Sequence, residues 1–204
     1  MITILDYGVG NVLAFANVYR RLNIPVNIAK TKSDLNKATK LILPGVGSFD
    51  KAMQHLENSE MIPALERLVL GHGMPILGVC VGMQVLAGAS DEGKMTGLGW
   101  IEATVRKFDA SSMPAVAYLP HMGWNDVESR VDAVLFKGME HNAQFYFLHS
   151  YFFECQNRDH VIAETDYGSK FCSAVAKGNI HGVQFHPEKS HNFGSQLLSN
   201  FSEI

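Results

Sequence analysis

The chain has 204 residues, 47% of them hydrophobic and 18% charged, ordinary values for a globular protein large enough to bury a substantial core. Its 17 lysines and arginines against 20 aspartates and glutamates leave a net charge of −3, which provides neither a basic field for nucleic acid nor a polybasic membrane patch. No apolar stretch reaches the roughly 18 residues needed to cross a bilayer, so neither nucleic acid nor membrane is expected as a partner.

The run Met1-Ile2-Thr3-Ile4-Leu5-Asp6 enters a strand at once, without the basic and apolar regions of a secretory signal, and a cytoplasmic location is expected. Apolar periodicity then predicts strand 2–6, helix 11–22, strand 25–29, a short helix 33–38, strand 40–43, helices 48–57 and 61–70, strand 75–79 and helix 81–88. That rhythm specifies βαβ units, hence a mostly parallel central sheet flanked by helices. From about residue 98 the pattern changes to short extended runs: Thr104–Phe108, Ala115–Leu119, Phe145–Tyr151, Val161–Thr165, Phe171–Ala176 and Ile180–Phe185. Their alternation and aromatic content predict antiparallel strands that continue or abut the first sheet. A helix over 193–203 closes the chain. With no repeat or linker-like composition, residues 1–204 read as one α/β domain.

In open α/β sheets, sites gather where strands end. Gly78-Val79-Cys80-Val81-Gly82 is such an end, with a predicted strand before it and a predicted helix after it. A free cysteine is by default a small buried hydrophobe. Here the strand-turn-helix context and the glycines two places to either side match a nucleophile elbow with sulfur in place of oxygen. Backbone N–H groups at the start of the helix would favour the thiolate. Cys155 and Cys172 lack glycine flanks, sit in apolar runs and read as core, and the odd, widely spaced set of three cysteines suits reduced thiols.

His186-Pro187-Glu188 follows the run Gly182-Val183-Gln184-Phe185. In an extended segment the imidazole and the carboxylate two places on share a face, and Pro187 stiffens the pair. A base oriented by a carboxylate supplies the second and third parts of a nucleophile-base-orienter set, with Cys80 the first. A strand-capping surface histidine is the plainer reading of His186 alone. His181, His186 and His191 have none of the usual ligand spacings, so no metal and no cofactor is expected. Pro44-Gly45-Val46-Gly47 lacks the Gly-Lys-Ser/Thr ending of a phosphate loop. It is either a tight turn or, together with the N–H of Val81, a source of oxyanion donors. Gly8-Val9-Gly10 has Leu13 at the third glycine position of a dinucleotide fingerprint and is not read as one.

Taken in order, Asp6–Asn11, Leu43–Phe49, Gly78–Gln84, Gly97–Trp100, His121-Met122-Gly123-Trp124-Asn125, Tyr146–Tyr151 and Gly182–Ser190 resemble the class I (triad) glutamine amidotransferases. Pro-Gly-Val-Gly at 44–47 and His-Met-Gly-Trp-Asn at 121–125 narrow the likeness to the HisH-type glutaminase subunits. The resemblance implies the class I amidotransferase-like fold. It implies Cys80 as nucleophile, His186 as acid/base, Glu188 as its orienter, and the amides of Val46 and Val81 as oxyanion donors. Gly45, Gly47, Gln84, Ser150 and Tyr151 would contact L-glutamine. A (β/α)₈ synthase (HisF-type) subunit would dock on a face including Asn11, Met122, Trp124, Asn125 and Lys189. It would receive ammonia there to make imidazole glycerol phosphate and AICAR in histidine biosynthesis. A HisH-like paralogue feeding a different synthase, such as one amidinating a surface-polysaccharide sugar, shares these motifs. A cysteine peptidase of similar fold would share Cys80 and His186.

Overall fold

The structure, a computed structural model, describes residues 1–109, 118–139 and 143–204. Its elements run β1 (Ile2–Leu5), α1 (Val12–Arg21), β2 (Val26–Ala29), β3 (Lys40–Gly45), α2 (Phe49–Asn58), α3 (Ile62–Glu66), β4 (Ile76–Cys80) and α4 (Val81–Gln84). There follow β5 (Ala89–Ser90), β6 (Ala103–Lys107), β7 (His121–Ser129), β8 (Ala143–His149), β9 (Tyr151–Cys155), β10 (Val161–Asp166), β11 (Lys170–Lys177), β12 (Ile180–Val183) and α5 (His191–Glu203). The predicted alternation of the first half is therefore present. The predicted run Ala115–Leu119 lies outside the described residues except for Tyr118 and Leu119, which are not in a strand.

One sheet carries the molecule in the order β2-β1-β3-β4-β12-β11-β10-β7-β8, with β9 on β11, β6 on β9 and β5 on β6. The pairs β2-β1, β1-β3, β3-β4 and β4-β12 are parallel. Beyond β12 the main path is antiparallel. β1 and β4 are buried along their whole length, because helices cover both faces of the parallel half.

Helix ends follow local chemistry. Asn11 caps α1, its side-chain oxygen accepting from Ala14 N at 3.3 Å, while Val12, Phe15, Ala16, Val18 and Tyr19 form the buried stripe. At α2 the capping oxygen comes from far along the chain: Glu92 Oε2 accepts from Phe49 N at 2.8 Å. A carboxylate there also complements the positive helix end.

Four expectations are corrected. The predicted helix 81–88 is one turn only, Val81–Gln84. The carbonyls of Val85, Leu86 and Ala87 accept instead from Leu98, Ile101 and Gly99, so a returning segment takes the bonds that would continue the helix. Ile180–Phe185 is not simply antiparallel, since β12 runs parallel to β4 and closes the parallel half. The run Phe145–Tyr151 divides at Ser150 into β8 and β9, which pair with different partners. Cys155 is half-buried rather than core, and its hydrogen-bond partner is the buried Cys172. In addition β7, polar on most of its length, was not predicted; its outward residues Met122, Trp124, Asp126 and Glu128 mask the alternation.

Candidate active site

Cys80 closes β4 and is 4% exposed. Its φ of 55° and ψ of −115° place a non-glycine residue in strained backbone, as the sharp strand-to-helix turn of a nucleophile elbow requires. Close approach explains the glycines. A β-carbon on Gly78 would stand 2.5 Å from the Gly82 carbonyl oxygen, one on Gly82 would stand 1.9 Å from Leu43 O, and one on Gly45 would stand 2.1 Å from Gly82 N. The elbow is thus pressed against the end of β3, where Gly45 pairs in register with Cys80. Gly82→Ala is expected to cost about 3 kcal/mol or more in urea unfolding, because the blocking atoms are backbone. Gly47→Ala, with open space around it and only its φ of +86° against it, is expected to cost about 1 kcal/mol. Equal costs at the two positions would refute the close-approach account.

His186 follows the carboxyl end of β12, the strand next to β4. Its Nδ1 lies 2.9 Å from Glu188 Oε1, with the two side chains 5% and 2% exposed. The pair sits on a tight turn, Pro187–Lys189, rather than on a continuing extended segment. Three bonds hold that turn: His186 N to Tyr146 O at 2.8 Å, Tyr146 N to Ser190 Oγ at 3.0 Å, and Ser190 Oγ to His186 O at 2.6 Å. Burial opposes an imidazolium here, but the hydrogen bonds to Cys80 and Glu188 outweigh it and hold the His186 pKa up at about 10. Because Glu188 occupies Nδ1, Nε2 is the nitrogen left for the sulfur.

A cleft of about 300 Å³ opens over these groups, a size suited to a small molecule. Val46, Gly47, Val81, Ser150 and Tyr151 line it, together with Glu92, Leu148, His149 and Lys189. Gly45 does not line it; it packs beneath the elbow. Gln84 reaches the cleft, but its amide is engaged, donating to Tyr151 O at 3.2 Å and to Gln184 Oε1 at 3.1 Å. Gln184 in turn lies 3.9 Å from Cys80 Sγ.

Sequence reasoning assigned no role to Gln184, Tyr7, Glu92 or His149. Gln184 carried a usable signal, an amide inside an apolar run directly before the His-Pro-Glu turn. Tyr7 gave none: its hydroxyl donates to Pro44 O at 2.6 Å, and burial with the nearby Cys80 pushes its pKa up.

On the outer surface Met122 and Trp124 are 65% and 46% exposed, and Trp124 stacks on His191 at 5.0 Å. Lys189 is exposed, with Nζ 5.6 Å from the Tyr146 ring centre, and Asn11 is exposed at the start of α1. Asn125 departs from this group. Alternation turns it to the other side of β7, where its amide bonds to His121, to Asp166 O and to Asp126 N.

A buried cysteine-histidine-carboxylate set at the ends of adjacent parallel strands is the arrangement of a thiol-dependent acyl-transfer enzyme. The profile of the family "Glutamine amidotransferase class-I" matches residues 3–204, and the chain belongs to that family; it is an enzyme of the glutamine amidotransferase type. Within it the full-length relatives of this chain are HisH subunits. It is 58% identical, over the whole of both chains, to the imidazole glycerol phosphate synthase subunit HisH of Bdellovibrio bacteriovorus. It is 50% identical to that of Leptospira interrogans and 41% identical to HisH 2 of Pseudomonas aeruginosa, again over the whole of both. The fold is shared more widely. A structure of PurLQS from Thermotoga maritima superposes with a TM-score of 0.77 at 15% identity, over 99% of this chain and 97% of that one. A crystal structure of a glutamine amidotransferase superposes with a TM-score of 0.75 at 20% identity, over 99% and 97%.

Proposed function

We propose that the chain hydrolyses L-glutamine at Cys80 and passes the ammonia to a (β/α)₈ synthase subunit of the HisF type, which uses it in making imidazole glycerol phosphate. The observation that carries the reading is the Glu188–His186 contact of 2.9 Å placed beside the Cys80 sulfur at the cleft floor. A carboxamide is a poor electrophile with a poor leaving group, so the reaction needs a thiolate, a place for oxyanion charge and a proton donor.

Sγ of Cys80 attacks the side-chain carboxamide carbon, and the carbonyl π electrons move onto oxygen, stabilised by the N–H groups of Val46 and Val81. The tetrahedral species collapses, the carbon–nitrogen bond breaks, and His186 gives its Nε2 proton to the leaving nitrogen. Ammonia departs and a γ-glutamyl thioester remains. Water, deprotonated by the now neutral imidazole, adds to the thioester; glutamate leaves and the thiol is restored with its partner proton. Glu92 is the single carboxylate among the described residues lining the cleft and is suited to the substrate ammonium.

Ammonia released to water would be protonated and lost as a nucleophile, so it must be handed on within a complex. Met122, Trp124, Lys189 and Asn11 suit the docking face, with Trp124 a preorganised aromatic anchor. Titration calorimetry of Trp124→Ala against the synthase subunit is expected to show a Kd raised about 30-fold, from roughly 2 kcal/mol of lost anchoring. Unchanged affinity discards the anchor. The pathway is tested by reconstitution: with the synthase subunit present, glutamine should replace ammonium salts as nitrogen donor for imidazole glycerol phosphate. Glutamine hydrolysis without that coupling would redirect the search to another synthase, such as one that amidinates a sugar.

A further inference from the structure

In the cleft wall His149, and behind it His121, both buried, are joined by a chain of hydrogen bonds whose direction is fixed at every link. His149 Nδ1 lies 2.8 Å from Tyr151 O, and a carbonyl only accepts, so Nδ1 carries the proton. His149 Nε2 lies 3.1 Å from His121 Nδ1. His121 Nε2 lies 3.2 Å from Asn125 Nδ2. The orientation of Asn125 is settled by its own neighbours: Oδ1 accepts from Asp126 N at 2.8 Å, and Nδ2 donates to Asp166 O at 2.9 Å. Asn125 therefore donates to His121 Nε2, which leaves the His121 proton on Nδ1, donating to His149 Nε2. Both rings are neutral, and both are Nδ1–H tautomers. A proton added to either ring would set two donors face to face.

The surroundings match that state. The His121 ring is stacked between Phe147 at 4.6 Å and Tyr167 at 3.9 Å. His149 packs against Phe108 at 5.5 Å and Phe171 at 5.2 Å. Burial pushes His121 down to about 4 and His149 to about 3. The chain ends on Tyr151 O, which also accepts from Gln84 at 3.2 Å, and Gln84 leads through Gln184 towards the sulfur. The acceptor stands at the junction where β8 ends and β9 begins, with Ser150 between them on the cleft wall.

We propose that His121 and His149 are positioning residues: with Asn125 they form a one-directional relay that holds the Ser150–Tyr151 wall, and through it Gln84, in the shape that receives glutamine. The proposal rests on the assignment of the cleft made above.

Phenylalanine keeps the ring and removes its nitrogens. His149→Phe and His121→Phe are expected to raise KM for glutamine about 10-fold, with most of the loss in KM rather than in kcat. His149→Asn keeps a donor near the Nδ1 position and is expected to recover part of that KM. Long-range proton–nitrogen NMR of the wild-type protein at neutral pH is expected to show both rings as Nδ1–H tautomers, a readout independent of activity and of whether a variant folds. An Nε2–H tautomer or an imidazolium at either ring overturns the relay, as does an unchanged KM in folded phenylalanine variants. Failure of the underlying assignment looks different: glutamine hydrolysis would then survive in Cys80→Ala, whatever the histidine variants do.

Discussion

Cys80→Ala is expected to lower glutamine hydrolysis by at least about 10⁴-fold, since removing the nucleophile of a nucleophile-base-orienter set costs nearly as much as removing the whole set. Stability should fall far less, by the hydrogen bond that Cys80 makes to His186. Cys80 is buried in a strained turn, and alanine keeps the β-carbon while removing one atom. Thermal unfolding separates the two effects, and single-turnover assay with labelled glutamine measures the first. Labelling by a diazo-ketone analogue of glutamine should add one adduct to the wild-type protein and none to the variant. Hydrolysis persisting within tenfold of the wild-type rate would remove Cys80 from the chemistry and the proposed mechanism with it.

Glu188→Gln is the second large effect, expected at about 10³-fold in kcat with KM nearly unchanged. The amide oxygen can still accept from His186 Nδ1, so the ring keeps its place, but the compensating charge is gone. In the wild type that charge acts across 2.9 Å between side chains almost fully shielded from water, where a single charge has a large effect on the imidazolium. The same substitution has a signature in stability. A histidine whose folded pKa is raised contributes stability fully present below its unfolded value, about 6.5, and lost as pH rises through its folded value. For His186 that value is about 10, with Glu188 among the groups raising it. The wild type should therefore exceed Glu188→Gln in unfolding free energy most near pH 6, and the gap should narrow as pH approaches 10. A gap that widens with pH would show that His186 is not charged in the folded protein. Denaturant unfolding across the range decides between these outcomes.

The site was legible where chemistry and local pattern coincide. Glycines around Cys80 announced a backbone without room for β-carbons, and the structure supplies the obstructing atoms: Gly82 O and Met83 Cα for Gly78, and Leu43 O for Gly82. His186 and Glu188 were legible because they lie two places apart across a proline. Gln184, Tyr7 and the His121–His149 pair were not, because each acquires its meaning from a residue 28 or more positions away. Asn125 was grouped with Met122 and Trp124 on motif alone; the pleat of β7 turned it inward.

Residue order by itself determined the alternation of strand and helix, the thiol at a strand end and the histidine-carboxylate pair, since these depend on side-chain periodicity and on geometry within a few peptide units. Tertiary structure alone decided that β12 inserts parallel beside β4, that α4 stops after one turn, and that β8 and β9 part at Ser150. Those outcomes depend on which distant backbone groups compete for the same hydrogen bonds and the same buried volume. Local periodicity cannot rank such competitors, because their free energies come from segments brought together only on folding.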